Sequence, residues 1–194
     1  LAMYSFQAIK HFTTVDGGML VLPHEALWKR AKSGRWYGID RDGNRKDFRC
    51  EEDIAEWGFK FHMNDVNASV GLANLPHADT IISRHRQTGA FYDPALAAVP
   101  GVTLLTRHPD RKSAFWIYSL RVDRRDDFYR AMHGRGIIVS QVHERNDKHT
   151  AVKEFRTHLP TLDRLIGQVV SIPVGWWVDV DDRQRVVDAI KAGW

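Results

Sequence analysis

Hydrophobic and polar positions change their spacing several times along this chain, and each change marks an element. Residues 1–6 (LAMYSF) are apolar and aromatic apart from Ser5, the pattern of a buried strand, with no turn or cap before it. Val15-Asp16-Gly17-Gly18 carries turn chemistry, and residues 19–22 (MLVL) form a second short strand that Pro23 closes. In 24–32 (HEALWKRAK) Leu27 and Ala31 share a face opposite the charges, which predicts a short helix stopped by Ser33-Gly34. Residues 35–56 mix aromatic side chains with Asp40, Asp42 and Gly43 and keep no period, the pattern of a loop or flap.

Helical spacing returns at Asn64, where Val66, Val70, Ala73 and Leu75 can share an apolar face and Asn64 or Asp65 can cap the first turn. Pro76 is expected to interrupt this helix, a second runs over 77–92, and Pro94, Pro100 and Gly101 mark a connection. Residues 115–122 (FWIYSLRV) are β-branched and aromatic, hence a strand, followed by a helix over 126–133 that Gly134 and Gly136 end. Residues 137–139 and 169–173 read as strands, and 162–167 and 181–192 as helices. This order predicts a small α/β domain with one mixed sheet.

Composition narrows the class. Of 194 residues 43% are hydrophobic and 27% charged, with no low-complexity tract, so disordered and collagen-like chains are excluded. Cys50 is the single cysteine, which rules out an intrachain disulfide and a cysteine metal cluster and fits a cytoplasmic protein. No apolar run reaches the roughly 20 residues of a membrane span, and no signal peptide is legible. The net charge of +4 raises nucleic acid as a partner. The basic residues are interleaved with acids, however, as in 121–127 (RVDRRDD), so no nucleic-acid stripe is expected. Trp57, Trp116, Trp176 and Trp177 read as core or interface positions.

Taken alone, Lys10 has two readings. It is a solvated lysine like most others, or an amine partly desolvated beside Phe6, Ile9 and Phe12 and able to act as a nucleophile. The surrounding motif bears on this. Ser5-Phe6-Gln7-Ala8-Ile9-Lys10 followed by Val15-Asp16-Gly17-Gly18-Met19 resembles the Schiff-base segment of the DegT/DnrJ/EryC1/StrS aminotransferases. These are fold type I enzymes that use pyridoxal phosphate to aminate nucleotide-linked keto sugars. Val15 stands in place of the first glycine of that family's Gly-Glu-Gly-Gly turn, and Asp16 in place of its acid. Residues 58–65 (GFKFHMND) with Ala68, Gly71, Leu72 and Leu75 are similar to the family's Gly-Tyr-Asn-Tyr-Arg-Met-Thr-Asp stretch and its helix. Residues 136–149 (GIIVSQVHERNDKH) and 159–174 (LPTLDRLIGQVVSIPV) resemble two further landmarks, so the blocks run in order along nearly the whole chain.

The resemblance implies an α/β fold: the C-terminal portion of the large cofactor-binding domain over 1–100 and the small C-terminal α/β domain over 101–194. It makes Lys10 the catalytic lysine that binds pyridoxal phosphate, and Ser5 a hydroxyl on the cofactor phosphate. Lys60 stands where the family places an asparagine that reaches the phosphate from the neighbouring subunit, and His62 replaces an arginine. His143 matches a histidine near the sugar, with Glu144 in place of the usual tyrosine, and Arg145 is a candidate for nucleotide or sugar hydroxyls. No metal is implied. The implied reaction moves an amino group from glutamate to a nucleotide-diphosphate keto sugar, and the Met-Asn-Asp version of the second block is similar to C4-acting, perosamine-synthase-like members. The implied assembly is a homodimer with active sites at the interface. The family's ring-binding acid, ring-stacking group and glycine-threonine pair lie in an N-terminal half that these residues do not include, so the chain is expected to need that half. The alternative is a non-catalytic binding or regulatory protein derived from the same fold.

Overall fold

A computed structural model describes residues 1–43 and 53–194; Cys50 and the middle of the expected flap lie outside the described residues. The fold is mixed α/β, and its contacts divide it into two compact units, Leu1–Ala78 and Asp79–Trp194. The division falls inside the stretch 1–100 that the sequence reading treats as one domain.

In the first unit β1 (Ala2–Ser5) pairs antiparallel with β2 (Gly18–Val21), Ala2 opposite Val21 and Ser5 opposite Gly18. Both strands were expected, but the first is not buried: Met3, Tyr4, Met19, Leu20 and Val21 are all exposed. An apolar run specifies extended backbone, whereas burial needs a second layer, and a two-stranded ribbon brings none of its own. α1 (Glu25–Gly34) runs through the Ser33-Gly34 pair expected to stop it. The chain turns one residue later, where the N–H groups of Trp36 and Gly38 both donate to the Ser33 carbonyl.

α2 (Asp65–Asn74) starts as expected: the Asn64 side chain accepts the Asn67 N–H at 2.9 Å. Its interior face is not the expected one. Val66, Leu72 and Leu75 are exposed, and the buried position is Gly71, on the same face as Asn67 and Asn74. Pro76 breaks the helix into a 3-10 turn, Leu75–His77.

α3 (Ala78–Leu96) reaches beyond the expected end and carries Pro94 inside its last turn. Tyr92 and Leu96 on that turn are fully buried in the core of the second unit. Burying two such side chains contributes about 2 kcal/mol each, which offsets the roughly 3 kcal/mol cost of a helical proline.

The second unit holds a three-stranded sheet in the order β3 (Val102–Leu104), β4 (Tyr118–Val122), β5 (Val169–Ile172). α4 (Arg125–Gly134), α5 (Pro160–Ile166) and α6 (Val180–Lys191) complete it. Tyr118 and Leu120 from β4, Phe128 and Met132 from α4, and Val187 and Ile190 from α6 meet in one core. Every pairing among the described residues is antiparallel, so the sheet is not mixed. The strand expected over 137–139 reduces to a single bridge, Ser140 with Ser171, and β3 was not foreseen. β4 begins three residues later than expected, because Phe115 sits at φ +49°, outside extended geometry.

Candidate active site

Lys10 stands in a turn whose base is locked by backbone bonds. Past the end of β1 the Phe6 N–H donates to the Gly17 carbonyl at 2.9 Å. The Phe6 carbonyl in turn accepts the Thr14 N–H at 2.9 Å and the Thr13 hydroxyl at 3.1 Å. Across this neck the Lys10 N–H donates to the Gln7 carbonyl at 2.9 Å, which fixes the turn that carries the half-buried lysine. The Gln7 side chain folds back to accept the Ile9 N–H at 3.2 Å. Phe6 meets Phe12 edge-on at 4.9 Å between ring centres, an apolar wall beside the turn. Ser5 is exposed, and its Oγ accepts the Gln7 N–H at 3.4 Å, leaving its O–H to donate elsewhere.

The loop is braced from α2. Asn67 donates its side-chain amide to the Asp16 carbonyl at 2.9 Å, and Asn74 donates to the Thr13 carbonyl at 3.0 Å. Between them Gly71 lets the helix approach closely, since a Cβ there would lie 2.7 Å from Thr14 Cγ2. Thr14 is buried and its hydroxyl donates to the Asp16 carbonyl at 2.7 Å. Sequence reasoning missed these bracing residues. The available signal was two asparagines seven apart with a glycine between, a polar stripe on one helix face.

Val15, which stands where the resembled turn has glycine, takes φ +70°. That left-handed conformation suits glycine and is strained for a β-branched residue.

Lys60 is exposed and forms an antiparallel bridge with Trp36, flanked by the Phe61 N–H donating to the Arg35 carbonyl at 2.9 Å. His62 is held below the usual imidazole range, first by burial and then by the positive charges of Lys60, Arg41 and Arg35.

In the second unit His143 is exposed, its ring 6.2 Å from that of Trp116 and edge-on to it. Arg145, expected to reach substrate, is buried and engaged. Its Nε and Nη2 grip both oxygens of Asp147 at 2.7 and 2.5 Å, Nη1 pairs with Asp163 of α5, and Nη2 also donates to the Thr157 carbonyl at 3.0 Å. These ion pairs raise its pKa further. With its guanidinium donors so committed, Arg145 orders the loop that follows His143. Trp57, Trp176 and Trp177 are exposed and Trp116 is only half-buried, so none belongs to the core of its unit.

Among the described residues no group of three or more His, Cys, Asp or Glu could hold a metal ion, and no helix is long and apolar enough to cross a membrane.

Residues 1–191 match the model of the DegT/DnrJ/EryC1/StrS aminotransferase family. The chain is similar to AtS13 from Actinomadura melliaura, with 48% identity and a TM-score of 0.94, over 99% of this chain and 51% of that one. It is similar to the sugar aminotransferase CalS13 from Micromonospora echinospora, with 46% identity and a TM-score of 0.94, over 99% of this chain and 52% of that one. DesV of S. venezuelae, solved in complex with a ketimine intermediate, matches at 25% identity and a TM-score of 0.85, over 98% of this chain and 50% of that one. The chain therefore spans about half the length of the solved structures it resembles. Aminotransferases of this family use pyridoxal phosphate. Matched from its first residue to within a few of its last, the chain belongs to the DegT/DnrJ/EryC1/StrS aminotransferase family.

Proposed function

We propose that this chain is the catalytic-lysine half of a sugar aminotransferase that uses pyridoxal phosphate to move an amino group from glutamate to a nucleotide-linked keto sugar, at C4 of the sugar. The observation that carries this reading is Lys10: a primary amine, half-buried, on a turn whose neck is closed by the Phe6 hydrogen bonds and braced by two asparagines of α2. CalS13, a sugar aminotransferase, is 46% identical over nearly the whole chain, which supports the sugar as acceptor.

The donor set fits the cofactor. The Lys10 amine suits its aldehyde, and the Ser5 hydroxyl, with an O–H left to donate, and the Lys60 ammonium suit its phosphate. When bound, pyridoxal phosphate supplies an electron sink that acidifies the carbon bearing the transferred amine. The Lys10 amine would hold the cofactor through its aldehyde and, once released, would carry at Nζ the proton that the transfer moves, in one direction in the first half of the exchange and in the other in the second. Ser5 would orient the phosphate of its own site, and Lys60 would reach the phosphate of the neighbouring subunit. His143 is the candidate for contact with the sugar, and Arg145 acts on substrate through the order it gives the neighbouring loop. Residues 1–100 serve as the C-terminal part of the cofactor domain and 101–194 as the small domain. An N-terminal half supplies the ring-binding groups, two copies assemble with active sites between them, and the location is cytoplasmic. The alternative of a non-catalytic binding protein is not favoured, because Lys10 and Ser5 are both retained in their places.

Borohydride reduction after addition of pyridoxal phosphate, followed by peptide mapping, is expected to leave a pyridoxyl group on Lys10 Nζ. Lys10→Ala is expected to abolish glutamate-dependent amination of a nucleotide-linked keto sugar. A label placed elsewhere, or amination that survives the substitution, overturns the reading.

A further inference from the structure

Phe115 sits at φ +49°, a left-handed conformation that costs an aromatic residue steric strain. Its surroundings hold it there. The Nδ1–H of buried His85 donates to its carbonyl at 2.8 Å, and its own N–H donates to Ser113 Oγ at 3.1 Å. Its ring lies against α3 at Gly89, where a Cβ would come within 2.8 Å of it. The Arg107 guanidinium covers the ring at 4.9 Å and is itself tied to Asp93 at 3.0 Å. Strain persists only where the surroundings over-determine it, and such positions cluster at functional sites. The residue that this corner presents is the next one, the half-buried Trp116.

A separate set of contacts fixes the segment that Trp116 meets. Arg125 of α4 donates from Nη1 to the Ile166 carbonyl at the end of α5, at 2.5 Å, and to Gln141 Oε1 at 2.7 Å. Gln141 Nε2 then donates to the His143 carbonyl at 3.1 Å. The neighbouring Glu144 is engaged within its own loop: one oxygen accepts the Arg145 N–H at 2.8 Å and the other pairs with Lys148 at 3.0 Å. His143 keeps its ring exposed. Two anchored backbones thus converge on one ring pair. Trp116 and His143 lie 6.2 Å apart between centres at 61°, inside the roughly 4.5–7 Å over which edge-on aromatic rings attract. An exposed imidazole with no neighbour samples several rotamers, whereas one set against an anchored indole is restricted. The restriction reduces the ordering cost that binding through the imidazole carries.

We propose that Trp116 is a positioning residue, which holds the His143 imidazole in the orientation from which it contacts the keto sugar; the sugar rests on the function proposed above, the pairing of the rings does not. In the holoenzyme Trp116→Leu, which keeps an apolar side chain without the ring, is expected to raise the KM for the nucleotide-linked keto sugar about tenfold, the size of one hydrogen bond. The change in kcat is expected to be smaller, and Trp116→Phe to fall between parent and Trp116→Leu. His143→Ala is expected to raise the same KM at least as far. Because Trp116 acts through the imidazole, Trp116→Leu added to His143→Ala is expected to raise it no further. Nuclear magnetic resonance of histidine-labelled protein reads the pairing without turnover: the His143 ring resonance, assigned by its loss in His143→Ala, is expected to shift in Trp116→Leu. An unmoved resonance, an unchanged KM in Trp116→Leu or additive effects in the double variant overturns the inference. A parent that aminates no nucleotide-linked sugar while the resonance shifts defeats the proposed function and leaves the ring pairing standing. Amination with a KM indifferent to Trp116 defeats the positioning role and spares the function.

Discussion

Asn74, in the last turn of α2, donates its side-chain amide to the carbonyl of Thr13 at 3.0 Å, which ties the helix to the loop that carries Lys10. About two turns upstream on the same face, Asn67 makes the matching bond to Asp16 at 2.9 Å. Each replaces a water that a loop carbonyl would otherwise need, and such a bond is worth about 1 kcal/mol. Asn67→Ala and Asn74→Ala are each expected to lower stability by about that amount in chemical denaturation. Because both act on one loop, the double variant is expected to depart from additivity. Hydrogen exchange at the Thr14 N–H is expected to quicken in each variant, since that bond lies at the loop neck.

Val15 sits at φ +70° and is exposed. A β-branched residue there bears the steric cost of the left-handed conformation, and its side chain recovers little by burial. Val15→Gly is therefore expected to raise stability by about 1 kcal/mol, less what the freer unfolded chain takes back. A denaturation midpoint that falls on this substitution would show that the turn is not strained.

Gly71 predicts the opposite sign for a similar exchange. Alanine is a better helix former than glycine by about 1 kcal/mol. Its Cβ, however, would lie 2.7 Å from Thr14 Cγ2. Thr14 is buried and cannot rotate away without breaking its hydroxyl bond to the Asp16 carbonyl. Overpacking of this kind costs about 1–3 kcal/mol, so Gly71→Ala is expected to destabilise. Gly71→Ala combined with Thr14→Ser, which removes the methyl, is expected to recover most of the loss.

These residues also mark the reach of sequence reading. The Asn64 cap and the strand at 118–122 were legible because their causes are local: a side-chain oxygen three residues from an N–H, and a run of β-branched and aromatic residues. The interior face of α2 was not. Periodicity pointed to Val66 and Leu75, whereas the helix turns Asn67, Gly71 and Asn74 inward. That choice depends on loop carbonyls more than fifty residues earlier in the chain, which no local window contains. The position of Lys10 after a strand and before a turn was legible for the same local reason. The Trp36 to Lys60 bridge joins segments with no shared period. Arg145 illustrates a further limit: its position in a polar loop gave no sign that Asp163, on α5, takes one of its guanidinium nitrogens.

Arg145 makes its own prediction. It links the turn at Asn146–Lys148 to Thr157 and to α5, so the stretch between has its two ends fastened by one side chain. Arg145→Ala is expected to open residues 146–158 to limited proteolysis, with Arg145→Lys intermediate because a lysine cannot span both oxygens of Asp147. Asp163→Asn is expected to loosen the same stretch with Arg145 in place. An unchanged cleavage pattern in all three would mean that the loop is ordered by other contacts.

His85 gives the fold a dependence on pH. It is buried, and since the Phe115 carbonyl can only accept, its Nδ1 carries the proton and donates at 2.8 Å. Burial pulls its pKa below the ordinary 6.5, and the carbonyl bond pushes back in part. As pH falls through 6.5 the unfolded chain takes up a proton on this imidazole more readily than the folded chain does. The unfolded state then binds more protons, so stability rises with pH between the depressed folded value and 6.5 and is flat above it. His62, also held low, adds a slope of the same sign, so the test is a difference between proteins. His85→Asn keeps a donor near the Nδ1 position and removes the titration. Denaturation midpoints measured from neutral pH downward are expected to fall less steeply in the variant than in the parent. Parallel curves would place the pH dependence elsewhere.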